Sequence, residues 1–179
     1  MIAAQAPKAL VFIARQLPAA QQEMAQSLAA QGHIVSIITA SPDFNRVDFE
    51  EGVWVHRIVA ARATSPDSGP ALGMTPEAWN WAVAAREELR RIATHRRIDA
   101  VEAPLATCEA AALLDEDWPL ASSVDADLAL PLRPLQLALL RQSQGLRGAS
   151  QALREQIARE HGLQCAADRG NVNDPVSAA

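Results

Sequence analysis

Unbroken apolar runs alternate along this chain with stretches whose apolar positions recur every three or four residues. Ala9 to Ala14 (ALVFIA), bounded by Lys8 and Arg15, contains β-branched and aromatic members, and such a run predicts a strand buried on both faces, as in a parallel sheet. From Pro18 to Gln31 the chain turns to Ala, Gln, Glu, Met and Leu, with Met24 and Leu28 four apart; this predicts a helix with Gly32 as its C-cap. Ile34 to Thr39 (IVSIIT) reads as a second buried strand, stopped by the turn cluster Ala40-Ser41-Pro42-Asp43. A short loop then leads to a third strand, Gly52 to Ile58, whose later residues alternate apolar with polar, as a strand nearer a sheet edge would.

Pro66, Gly69, Pro70, Gly73 and Pro76 mark residues 63–76 as a loop. Glu77 to His95 predicts a long helix with Trp79, Val83, Leu89 and Ile92 facing the core; its acidic start and basic end suit the helix dipole. Ile98 to Glu102 is a short strand ending at Pro104, Thr107 to Leu114 a short helix, and Trp118 to Val124 a fifth strand. Pro134 to His161 is helical again, interrupted near Gly145 and Gly148, with Leu139, Leu146, Leu153 and Ile157 as buried positions. Strands alternating with helices give an α/β fold, a Rossmann-like open and mostly parallel sheet with helices on both faces. One domain over residues 1–170 and a frayed tail at 171–179 are expected.

Composition narrows the chemistry. The 179 residues suit one domain and carry a formal charge of −5, which argues against a general nucleic-acid binder because phosphate contacts need clustered cations. All but one of the 16 basic residues are Arg, and eight acidic residues with no Lys or Arg lie between Ile98 and Leu132. Cys108 and Cys165 have neither a CxxC nor a His at ligand spacing, so reduced thiols are expected rather than a zinc site. Neither a leader peptide nor a transmembrane run is read from the sequence, and a cytoplasmic location is the expectation. No motif for a dinucleotide, a P-loop or a metalloprotease is present, and no cofactor is expected.

Several pieces in order resemble one known family. Gln26 to Thr39 (QSLAAQGHIVSIIT), Gly52 to Ile58 (GVWVHRI), Ile98 to Pro104 (IDAVEAP), and then Ala158 to His161 with Ala167-Asp168 are similar to successive motifs of the N-terminal domain of family four glycosyltransferases, whose fold is GT-B. The resemblance spans roughly residues 9–170 and implies the acceptor-side half of a two-domain transferase, with the donor-gripping half and its carboxylate pair outside this chain. Two departures accompany it. The family's glycine-rich first loop, where bare amides approach phosphates, is replaced by Arg15 to Gln22 without a glycine, and Ser122 to Asp127 lacks the family's His.

Ligands of such sheets bind beyond the carboxyl ends of the strands, which directs attention to the segments beginning at Arg15, Ala40, Glu102 and Asp125. The candidate ligand-binding residues are Arg15, Gln16, Glu102, Thr107, Asp125 and Asp127. Arg15 offers a guanidinium to a phosphate or carboxylate, or a surface ion pair with the acidic stretch. Glu102 offers a base or an acceptor for a sugar hydroxyl, or a loop cap. Asp125 and Asp127 share a face in extended chain, as a carboxylate pair or a solvated loop; no metal is assigned to them. Trp79 and Trp81 cannot share one helix face, so one of them, beside the 63–76 loop, is a candidate sugar or subunit contact. His33 and His56 read as structural.

The expected ligand is a sugar acceptor or a nucleotide sugar, and a protein partner or a homodimer is a further candidate. The isolated chain is expected to be non-catalytic. Two alternatives stand beside this: a fragment of an active retaining glycosyltransferase, and a non-catalytic protein-interaction module.

Overall fold

The computed structural model describes residues 6–60, 71–114, 116–124, 128–147 and 151–161. Asp125, Asp127, most of the expected 63–76 loop and the expected tail at 171–179 lie outside these residues. Among the described residues seven strands form one sheet: β1 (Ala9–Ile13), β2 (Ile34–Ala40), β3 (Arg46–Glu50), β4 (Val53–Ile58), β5 (Ala100–Pro104), β6 (Leu120–Ser123) and β7 (Leu146–Arg147). Their order is β3-β4-β2-β1-β5-β6-β7, and only β3 with β4 is antiparallel. The helices are α1 (Ala19–Ala30), α2 (Pro76–Ala93), α3 (Pro134–Gln142) and α4 (Gln151–His161). The protein is an α/β, Rossmann-like open sheet with helices on both faces.

The apolar run of β1 has no polar position because both of its faces are covered. Val11 and Ile13 join a core cluster with Trp81, Ala85, Leu89 and Ile92 of α2. Leu10 and Phe12 point the other way, to Ala25 and Leu28 of α1, as the two-residue period of a strand requires. Each such side chain taken out of water contributes about 1.5–3 kcal/mol. Gly32, at φ 91, follows α1. Its amide bonds to Ala29 O at 3.0 Å and that of His33 to Leu28 O at 3.1 Å, the paired bonds of a Schellman cap. Helix α2 starts on Thr75, whose hydroxyl accepts from the Ala78 amide at 3.2 Å, and ends at Ala93 rather than His95.

The structure corrects the sequence reading in four places. Arg46–Glu50, read as loop, is strand β3, joined to β4 through Glu51 (φ 49) and Gly52 (φ 84). Two consecutive positive φ values make the two-residue turn that matches hairpin twist. Thr107 to Leu114 is not a helix but a series of turns leading to a 3-10 segment, Ala111–Leu113, because Cys108 at φ 56 cannot continue a right-handed helix. The stretch after Gln142 leaves α3 to pair with β6 as β7, so Leu146 sits in a strand. On α2, Trp81 is the fully buried tryptophan, 2% exposed, and Trp79 packs half-buried at the core margin. Neither forms an exposed platform.

From β1 the chain builds outward through β2 and β4, then crosses back to lay β5 on the other side of β1. The order therefore reverses between β1 and β5, and a cleft opens beyond their carboxyl ends.

Candidate functional site

Three segments converge on this cleft: the exit of β1 at Arg15, the turns after β5 at Thr107 to Glu109, and the start of α3 at Arg133. Helix α2 forms a wall through Ala78 and Trp81. The cleft measures about 720 Å³, inside the range of about 300–1,000 Å³ common to small-molecule sites. Leu72, Met74, Leu114 and Leu135 supply apolar lining.

Glu109 organises the polar side. Its Oε2 accepts the Arg15 amide at 2.6 Å and its Oε1 accepts the Thr107 hydroxyl at 3.1 Å. Burial pushes the Glu109 carboxyl above its ordinary range, and the Arg15 amide, the Thr107 hydroxyl, the Trp81 indole and the Arg15 charge oppose that rise. The Trp81 Nε1–H reaches no acceptor at hydrogen-bond distance, so it acts on Glu109 from farther off. That N–H and the Arg15 amide thus both bear on the Glu109 carboxylate. The main-chain donor of the first loop is already occupied by the protein's own carboxylate.

Two guanidinium groups flank this centre. The Arg15 side chain pairs with Glu77 in the first turn of α2. Arg133 Nη2 donates to Ala106 O at 3.0 Å and lies 3.7 Å from Cys108 Sγ. Gln136 holds the helix start in place: its Oε1 accepts the Arg133 amide at 2.9 Å, and its Nε2 donates to Ala106 O at 3.3 Å. Burial pushes the Cys108 thiol up, with the Arg133 charge pulling it back, and the residue forms part of the cleft wall.

Of the six candidates, Arg15 and Thr107 meet in the cleft. Gln16 is exposed and is not among the lining residues. Glu102 lies beside Phe12 and Ala121 in register, on the α1 side of the sheet, opposite to Val101 and Ala103. Its side chain is 7% exposed, with Arg147 Nε 3.7 Å from Oε2 and no hydrogen bond to that oxygen. Burial raises its pKa more than Arg147 lowers it. Asp125 and Asp127 lie outside the described residues.

Glu109 and Arg133 are the cleft residues that the sequence reading did not single out. Their local signals were an acidic residue just past a β5 turn and an Arg-Pro pair opening a helix, and neither specifies a cleft without the topology. The assembled site presents cations, hydroxyl and indole donors, a carboxylate and apolar lining, the chemistry to hold an anionic, polyhydroxylated small molecule.

No protein-family model matches the chain, and no curated protein matches it in sequence. Among solved structures it is similar to a sucrose-phosphate synthase from Thermosynechococcus elongatus, with a TM-score of 0.58 and 11% identity over 88% of this chain and 84% of that one. The likeness is one of fold. No helix among the described residues is long and apolar enough to cross a membrane.

Proposed function

We propose that this chain is a glycosyltransferase-like domain of the acceptor-side type, and that its cleft holds a sugar bearing a phosphate or another anionic group. The observation that carries this reading is the cleft itself, at the point of strand reversal, lined by Arg15, Arg133 and Trp81. The guanidinium groups match a phosphate, while Glu109, Thr107 and the indole suit ring hydroxyls. The shared fold with a sucrose-phosphate synthase and the ordered sequence motifs support the same class. The domain binds without transferring sugar by itself. Supporting this are the glycine-free first loop, the Ser122 to Asp127 segment without a His, and the Glu109 carboxylate on the Arg15 amide.

Calorimetric titration with hexoses, hexose phosphates and nucleotide sugars tests the proposal. Hexose phosphates are expected to bind, free hexoses to bind more weakly, and Arg15→Ala or Arg133→Ala to weaken the phosphates selectively. Absence of binding by all three classes, or binding indifferent to both Arg substitutions, refutes the site. Sugar transfer from a radiolabelled nucleotide donor by the purified chain would overturn the non-catalytic assignment.

A further inference from the structure

The outer strand β3 carries an apolar stripe toward solvent. Phe49 is 61% exposed, Val47 42%, Ile34 42% and Trp54 38%. Phe49 registers with Trp54, and Val47 with His56; Trp54 in turn registers with Ser36, whose face Ile34 shares. All four side chains therefore lie on the α2 side of the sheet, beyond the end of that helix's coverage. The Phe49 and Trp54 rings meet at a tilt of 49° with centroids 4.8 Å apart.

The other face of this hairpin is charged and balanced. Arg57 Nη1 contacts Asp48 at 2.6 Å and Glu50 at 2.8 Å, and Arg46 Nε contacts Asp48 at 3.2 Å. The two-residue turn makes Glu50 and Val53 a hydrogen-bonded pair, and the bonding alternates from there. Arg46, Asp48 and Glu50 thus direct their main-chain groups to β4, while Val47 and Phe49 direct theirs outward. No described strand pairs with that edge. Arg46 to Glu50 contains no Pro, so the outward N–H groups of Val47 and Phe49 remain able to donate, and its three charges are paired on the other face.

We propose that β3 is a dimerisation edge, pairing antiparallel with β3 of a second copy of this chain about a two-fold axis at Asp48. Read against itself in that register, the segment sets Arg46 opposite the partner's Glu50 and Val47 opposite the partner's Phe49. Each Val47 to Phe49 pair exchanges both of its outward main-chain bonds. Charge meets opposite charge and apolar meets apolar at every position except the central Asp48, whose carboxylate Arg57 and Arg46 already hold. This complementarity selects a second copy as the occupant: an unrelated strand would have to supply an acid opposite Arg46 and a base opposite Glu50.

Sedimentation velocity on the whole chain over a dilution series tests this. The expected mass rises with concentration from 19.2 kDa to twice that value. Val47→Pro removes an outward N–H that the β4 ladder does not use, so it should leave a folded monomer by circular dichroism. Arg46→Glu should also abolish the dimer by facing the partner's Glu50, and adding Glu50→Arg should restore it. Asp48→Asn should tighten it by removing the like-charge pair. A wild-type chain monomeric at every concentration, a dimer unaffected by Val47→Pro and Arg46→Glu, or a charge swap that fails to restore association overturns the proposal.

Discussion

Helix α2 is fastened to β4 by a half-buried carboxylate, and neutralising it should leave a defined pH signature. Glu88 Oε1 lies 2.5 Å from His56 Nδ1, and Glu88 Oε2 accepts from Arg91 Nε at 2.8 Å. The Glu88 side chain is 12% exposed and that of His56 10%. Burial by itself pushes the Glu88 carboxyl up, but the hydrogen bonds from His56 and Arg91, with the charge of Arg91, outweigh burial and bring it from 4.5 to about 2. A tenfold change in proton affinity is about 1.4 kcal/mol, so that fall corresponds to about 3 kcal/mol as a ceiling. The Arg91 side chain is half exposed, and solvent screening of its share reduces the expected contribution to about 1–2 kcal/mol.

The sign follows from which state holds the proton more tightly. The folded carboxyl binds it more weakly than the unfolded one, so the stabilisation is complete above about 4.5 and disappears as the pH falls toward about 2. Glu88→Gln should therefore lower stability by about 1–2 kcal/mol at neutral pH, and its deficit against wild type should shrink in acid. Urea denaturation followed by tryptophan fluorescence at pH about 7, about 5 and about 3.5 measures both quantities. A deficit of the same size at about 3.5 and about 7, or one that widens in acid, refutes the reasoning.

Three further outcomes are expected. Trp81→Ala should cost about 3–5 kcal/mol in denaturant titration because it empties a fully buried site, with Trp79→Ala costing well under half of that; Trp81→Phe, which keeps most of the volume, should retain the fold and weaken the proposed binding of hexose phosphates. Glu109→Ala, which strips the acceptor from the Arg15 amide, should cost about 1–3 kcal/mol, whereas Glu109→Gln keeps an acceptor there and should stay within about 1 kcal/mol. Gly52→Ala forces a side chain into φ 84 with its Cβ 3.3 Å from that of Ala29, and a loss of about 1–2 kcal/mol is expected by thermal melting.

The elements that were legible in the sequence are those whose determinants are neighbours in the chain. ALVFIA is apolar without interruption, and IVSIIT is broken only by Ser36 before its terminal Thr39, because helices cover both faces of the central strands, and Gly32 marks a cap set by its own φ. β3 was legible in principle, from the alternation of Val47 and Phe49 with charged residues before Glu51-Gly52. Its exposed apolar residues, however, do not make the buried run by which the other strands announce themselves. The turns at Cys108 and the strand at Leu146 were hidden for a different reason: a left-handed residue and a two-residue pairing leave almost no periodicity to read.

The site divides along the same physical line. The strand and helix pattern by itself pointed to the region beyond the carboxyl ends of the strands, and it put Arg15 and Thr107 there. Only the tertiary structure decided the rest, because register and crossing are set by contacts between segments far apart in the chain. One residue of offset along β5 sends Glu102 to the far face of the sheet, under Arg147. Packing of α3 against the β5 turns brings Arg133, 118 positions from Arg15 in sequence, into the same cleft. Glu109, unremarkable in an acidic stretch, becomes the group that holds the Arg15 amide.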